Sequence, residues 1–214
     1  MKSILLIGLG RFGRHMAQKF NELNCEVLAV DCQEECVNAS LPYVTSAQIG
    51  DSTNEQFIAS LGVRNFDLCV VAIGGNFQSS LETTSLLKDY GAKFVLARAN
   101  REVHAKFLSR NGADDVVYAE KEMAIRMAVK YSANNVFDYI ELTPDYAIYE
   151  IRVPEQWTGK TIIQAAVRAK HHISILAIKR NGQIYPLPKP DHQLTRSESL
   201  IVMSSHQDIA RFIQ

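Results

Sequence analysis

Short apolar runs recur along the first two-thirds of the chain, each followed by a stretch whose apolar positions fall at helical spacing. The runs predict strands over 4–7, 27–30, 47–49, 68–72, 94–97 and 116–118. Between them, apolar residues three and four apart predict helices over 13–23, 34–38, 54–61, 77–90, 101–111 and 121–132. Strand and helix alternating in this order build an α/β fold, a doubly wound parallel sheet with helices on both faces. The segments SILLIG and DLCVVAIG are apolar throughout, as strands covered on both sides must be.

The pattern changes over 133–142. Beyond it, YAIYEIRVP alternates like a half-exposed strand and TIIQAAVRAKH reads as a short amphipathic helix. ISILAIKRNGQIYPL reads as two strands joined across an Asn181–Gly182 turn. SLIVMSS predicts another strand, and HQDIARFI a final helix. This predicts a Rossmann-like domain over 1–133 and a small α+β domain over 134–214.

Composition changes the picture only by exclusion. Lys+Arg and Asp+Glu both total 23, so the formal net charge is zero. This argues against nucleic acid as the main partner, because phosphate binding needs a basic surplus, and leaves room only for a local basic patch. No apolar run approaches the roughly 20 residues needed to cross a bilayer. SILLIG is too short for a signal-peptide core, so a cytosolic location is expected. Cys25, Cys32, Cys36 and Cys69 lack metal-type spacing and read as ordinary thiols.

The candidate chemistry starts at GLGRFG, which follows the first strand and opens the first helix. In such a unit Gly8 makes the tight turn, Gly10 lets backbone approach a pyrophosphate, and Gly13 lets helix and strand pack closely. The second strand ends in LAVD, which places Asp31 where a carboxylate binds ribose hydroxyls and repels a 2′-phosphate. Asp51, in QIGDST with Ser52, lies toward the adenine edge or serves as a loop cap. An NAD-dependent dehydrogenase would also need an acid or base beside the nicotinamide. The second domain offers only His171, His172 and His192, read as surface residues, so no catalytic residue is assigned.

Arg11 projects from the glycine loop itself and suits a terminal phosphate, within the chain or across a dimer. Arg98 and Glu120 fall at the C-terminal edge of the sheet, where ligands of such folds bind. Two cations and a carboxylate fit ADP or ATP, with Glu120 able to hold a metal ion. Alternatively, Arg98 is a surface ion pair and Glu120 complements a helix dipole.

GLGRFG, LAVD, VRNFDLCVVAIGGNFQSS, LARAN, NGADDVVYAEKEMA and the trailing WTGKTI and LAIKRNG together resemble the RCK (KTN) family, cytosolic regulators of potassium channels and transporters. The likeness spans essentially the whole chain and is closest to its Ktr-type branch. It implies that Gly8, Gly10 and Gly13 cradle phosphates with Phe12 in their loop, that Asp31 holds the ribose, and that Arg11 senses the terminal phosphate. It implies that the loop over 72–76, within VAIGGN, borders the nucleotide, with Ala72, Ile73, Gly74 and Asn76 as its contact residues. Relatives commonly carry lysine at the Arg98 position, so its phosphate contact rests on retained charge. Arg14 follows Gly13 where a second glycine is commoner, a change expected to alter local packing more than ligand class. Glu120 would contribute to a Mg or Ca site between paired subunits. Cyclic di-AMP would bind between second domains, with Ile163, Arg168, Ile173 and Pro188 as candidates. ATP/ADP is the expected ligand pair, with NAD(H) the alternative. The expected assembly is a homodimer within an octameric ring, acting on a membrane potassium-translocating subunit.

Overall fold

The computed structural model describes residues 1–212. By contact density the chain divides into two units, Met1–Glu120 and Lys121–Gln214.

In the first unit six strands form one parallel sheet: β1 (Ser3–Ile7), β2 (Glu26–Asp31), β3 (Ser46–Ile49), β4 (Leu68–Val71), β5 (Val95–Arg98) and β6 (Asp115–Val117). Their spatial order is β3-β2-β1-β4-β5-β6. The helices between them are α1 (Arg11–Glu22), α2 (Glu34–Ser40), α3 (Glu55–Ser60), α4 (Phe77–Asp89) and α5 (Glu102–Arg110). The order reverses between β1 and β4, and such a switch point opens a crevice at the carboxyl ends of the strands.

The apolar character of β1 has a direct cause. Leu5 and Ile7 pack with Ile58, Leu87 and Leu108 on one face, while Ile4 and Leu6 pack with Ala17 and Val37 on the other. Alternate side chains from Ile4 to Ile7 enter opposite cores, so none of these four positions is left for a polar residue. Helix starts also follow the sequence: Asn54 and Asn76 cap α3 and α4, their side chains accepting from the Phe57 and Ser79 N–H groups at 3.1 Å.

Helix α6 (Ala119–Ser132) leads into the second unit, a five-stranded antiparallel sheet. Its strands are β7 (Val136–Glu141), β8 (Tyr146–Arg152), β9 (Ser174–Arg180), β10 (Gln183–Pro186) and β11 (Ser199–Ser205), in the order β10-β9-β11-β8-β7. Trp157, Tyr149, Ile151, Ile173 and Leu200 fill its core. Three expectations change here. The stretch over 133–142 contains a strand, β7, concealed by a register shift between Val136 and Asp138 that breaks its alternation. TIIQAAVRAKH forms two short helices, α7 (Ile162–Ala165) and α8 (Val167–His171), because Ala166 turns left-handed at φ +48°. Of HQDIARFI, only α9 (His206–Ile209) is helical; Ile213 lies outside the described residues. Among the described residues, no helix is long and apolar enough to cross a membrane.

Candidate functional site

The β1–α1 turn builds the site. Gly8 adopts φ +96°, and a Cβ there would lie 3.0 Å from the Ala72 carbonyl carbon. A Cβ on Gly13 would lie 1.9 Å from the Gly8 carbonyl oxygen, so helix and turn meet backbone to backbone. Gly10 differs: a Cβ there would meet nothing within 4 Å. Two glycines are therefore required by packing, and the third leaves open space in front of the helix. Gly10 caps α1, and the helix's first turn holds no acidic side chain. The partial positive charge of its terminal N–H groups is thus left for an external anion.

A cleft of about 540 Å³ opens there. Among the expected residues, Gly8, Gly10, Arg11, Asp31, Asp51, Ser52, Ala72, Ile73, Gly74, Asn76 and Arg98 line it. Gly13, Phe12 and Glu120 do not. Gly13 is buried in the helix–strand contact, while Phe12 lies beneath the Arg98 guanidinium, 5.2 Å from ring centroid to Cζ. Glu120 accepts a hydrogen bond from Arg98 Nη2. Arg98 is held between ring and carboxylate, yet its Nε is buried without a hydrogen-bond partner.

Asp31 organises the loop. Its Oδ2 accepts from the Leu9 N–H at 2.6 Å and its Oδ1 from the Gln33 N–H at 2.9 Å. A carboxylate has about four acceptor positions, so capacity remains for ribose hydroxyls. Asp51 accepts from the Thr53 N–H and hydroxyl at 2.9 and 2.7 Å, and these bonds hold its carboxyl below the ordinary range. Ser52 is buried, its hydroxyl paired with that of Thr83 at 2.8 Å, which ties the loop after β3 to α4. The Glu120 carboxyl is held below its ordinary value first by its own backbone N–H, then by Arg98, with Arg11 adding a smaller pull.

Among the described residues, no group of three or more His, Cys, Asp or Glu is placed to hold a metal ion. A cation at Glu120 would need ligands from phosphate oxygens or from another copy. Sequence reasoning missed Cys32, Gln33 and Cys36, which also line the cleft, whereas Gly75 belongs to the expected loop over 72–76. The signal for these three was their place between the end of β2 and the first turn of α2. In the second unit, Ile163 (65% exposed) and Arg168 lie on the surface, whereas the Ile173 side chain is fully buried. Pro188 lines a separate cleft of about 310 Å³ with Tyr185 and His192.

Fold and cleft together define a Rossmann-type domain carrying a glycine loop, followed by a small antiparallel α+β module. The TrkA-N domain model matches residues 4–119 and the TrkA-C domain model residues 148–214. The Ktr system potassium uptake proteins C and A of Bacillus subtilis are each 40% identical to the chain over 99% of its length, covering 96% and 95% of their own. The chain belongs to this TrkA-N/TrkA-C (RCK) family. Its fold also matches the GsuK channel at a TM-score of 0.74 with 17% identity, and the GsuK channel bound to NAD at 0.70 with 18% identity. The chain spans 39% of the length of each of those two channel chains.

Proposed function

We propose that the chain is the nucleotide-responsive regulatory subunit of a potassium uptake system, binding ATP and ADP in the glycine-loop cleft and catalysing no reaction. The observation that carries this reading is the open face of Gly10 flanked by Arg11 and Arg98, a phosphate-sized space with two guanidinium groups beside it. Asp31 supplies the ribose end. Glu120 would hold a Mg or Ca ion, which would supply positive charge beside the terminal phosphate, with its remaining ligands coming from outside this chain's own acidic residues.

The subunit assembles as dimers within an octameric ring and acts on a membrane potassium-translocating partner of the KtrB type, which places it at the cytoplasmic face of the membrane. Moving a two-state equilibrium from 1:99 to 99:1 takes about 10⁴-fold differential affinity, roughly 5.5 kcal/mol. One additional phosphate held by Arg11 supplies about 1.5–3 kcal/mol as a charge-assisted hydrogen bond. A single site falls short, and several coupled sites in a ring suffice. Cyclic di-AMP is proposed as a second ligand, between second domains of two copies, with Ile163, Arg168 and Pro188 as its contacts; the exposure of Ile163 supports it.

The second reading is an NAD(H) site, in a sensor or an oxidoreductase. It is favoured by Asp31 at the end of β2, which suits any ribose with a free 2′-hydroxyl. Equilibrium titrations of ATP, ADP and NADH against wild type and Asp31→Ala decide between them. The proposal expects ATP and ADP to bind wild type and to lose most affinity in the variant. Tighter binding of NADH than of either, or nicotinamide reduction with any substrate, would overturn it.

A further inference from the structure

The loop after β4 contains a peptide whose orientation is held from outside the cleft. Asn100, beyond β5, donates from Nδ2 to the Gly74 carbonyl at 2.9 Å. Its Oδ1 lies 3.1 Å from Nδ1 of His104, on α5. His104 is fully buried, and its Nε2 has no hydrogen-bond partner. Nδ1 also lies 3.4 Å from the Asn100 backbone N–H, the longer and weaker of its two contacts, so the 3.1 Å contact to Oδ1 sets the tautomer. With the proton on Nε2, a buried N–H donor would be orphaned and Asn100 Oδ1 would face a lone pair. With the proton on Nδ1, it donates to Oδ1, and the cost is the weaker Asn100 N–H contact and an unpaired Nε2 lone pair. Burial, and then Arg101, push His104 further toward the neutral form that this arrangement uses.

The consequence falls on Gly75. No cis peptide bond occurs in the described chain, and in a trans peptide the C=O and the following N–H point in opposite directions. Asn100 draws the Gly74 carbonyl toward itself, and Asn100 does not line the cleft. The Gly75 N–H is turned the other way. Gly75 does line the cleft, and a Cβ there would meet nothing within 4 Å, so a ligand can approach its backbone. Two adjacent glycines would otherwise let this peptide flip at little cost.

We infer that Asn100 and His104 are positioning residues for anion binding: the His104–Asn100–Gly74 relay holds the Gly74–Gly75 peptide so that the Gly75 N–H faces a phosphate-bearing ligand. The inference rests on the nucleotide reading of the same cleft. It adds residues outside the cleft and a fixed donor in its wall.

The test uses the full-length chain with ATP and ADP as probes. Asn100→Asp is isosteric and sits at an exposed position, but it replaces the donor to Gly74 with an acceptor. It should weaken both nucleotides about tenfold or more at an unchanged melting temperature, the loss expected for one hydrogen bond to a charged group. His104→Asn, whose amide nitrogen reproduces the Nδ1 donor, should retain binding, whereas His104→Phe should lose it as Asn100→Asp does. In wild type, ¹⁵N NMR should show His104 neutral with its proton on Nδ1, a readout that needs no variant to fold. Wild-type affinity in Asn100→Asp or in His104→Phe, or an Nε2-protonated His104 in wild type, would overturn the inference. If wild type binds neither nucleotide, it is the nucleotide reading that fails.

Discussion

Substituting alanine at two neighbouring glycines should separate packing from binding. In Gly13→Ala the new Cβ would fall 1.9 Å from the Gly8 carbonyl oxygen and 3.0 Å from its carbon, against an ordinary contact that begins near 3.4 Å. Gly8 cannot retreat. Its N–H donates to the Val30 carbonyl at 2.8 Å, its φ is already +96°, and it sits against Ala72. Helix α1 must therefore lift away, loosening the contacts of Ala17 with Ile4 and Leu6. Overpacking a tight site costs about 1–3 kcal/mol, and a backbone-to-backbone clash belongs at the upper end. At roughly 2–4 °C per kcal/mol for a chain of this size, the melting temperature should fall by about 10 °C. Gly10→Ala meets nothing, and its only structural cost is a poorer helix cap, about 1 kcal/mol at most. Its methyl group projects into the space assigned to phosphate, so ATP affinity should drop at least tenfold. Calorimetric melting and ATP titration of both variants check this. A Gly13→Ala protein as stable as wild type, or a Gly10→Ala protein that binds ATP normally, would refute the division of roles.

Three further outcomes follow from the same structure. Cys69 is fully buried and its thiol is pushed up to about 12, so an aromatic disulfide reagent should leave it unmodified in the native protein. The same reagent should label exposed Cys32 more slowly when ATP fills the cleft that Cys32 lines; mass spectrometry of the labelled chain would expose either failure. Asp67 is lowered to about 2, chiefly by the Ser3 N–H and then by Lys93, 3.0 Å away. A depressed carboxyl pKa stabilises above the unfolded value, so this contribution should be present at pH 7 and vanish as pH falls from about 4 to 2. Melting curves of wild type and Asp67→Asn should differ at neutral pH and converge near pH 2, and a constant difference would contradict the assignment.

Much of the first unit was legible because local rules and the global fold agree there. SILLIG had to be covered on both faces, and glycines at spacing GxGxxG had to meet a helix and a strand. What was hidden depended on distant partners. The β7 bulge erased the alternation that marks a strand, and Ala166 turns left-handed without a glycine to signal it. Asn100 and Gly74 are 26 residues apart, and only the pairing of β4 with β5 brings their loops together. Ser52 reads as a polar loop residue but spends its hydroxyl on Thr83, a pairing set by how α4 packs.

The claim that matters most is that the site distinguishes ATP from ADP and converts the difference into shape. Small-angle scattering of the assembled protein, recorded with ATP and a divalent cation and then with ADP, tests it directly when repeated on Arg11→Ala. Wild type should give two distinct curves. Arg11→Ala should still bind ADP and give the same curve with either nucleotide. Identical wild-type curves, or an Arg11→Ala assembly that switches as wild type does, would contradict the account.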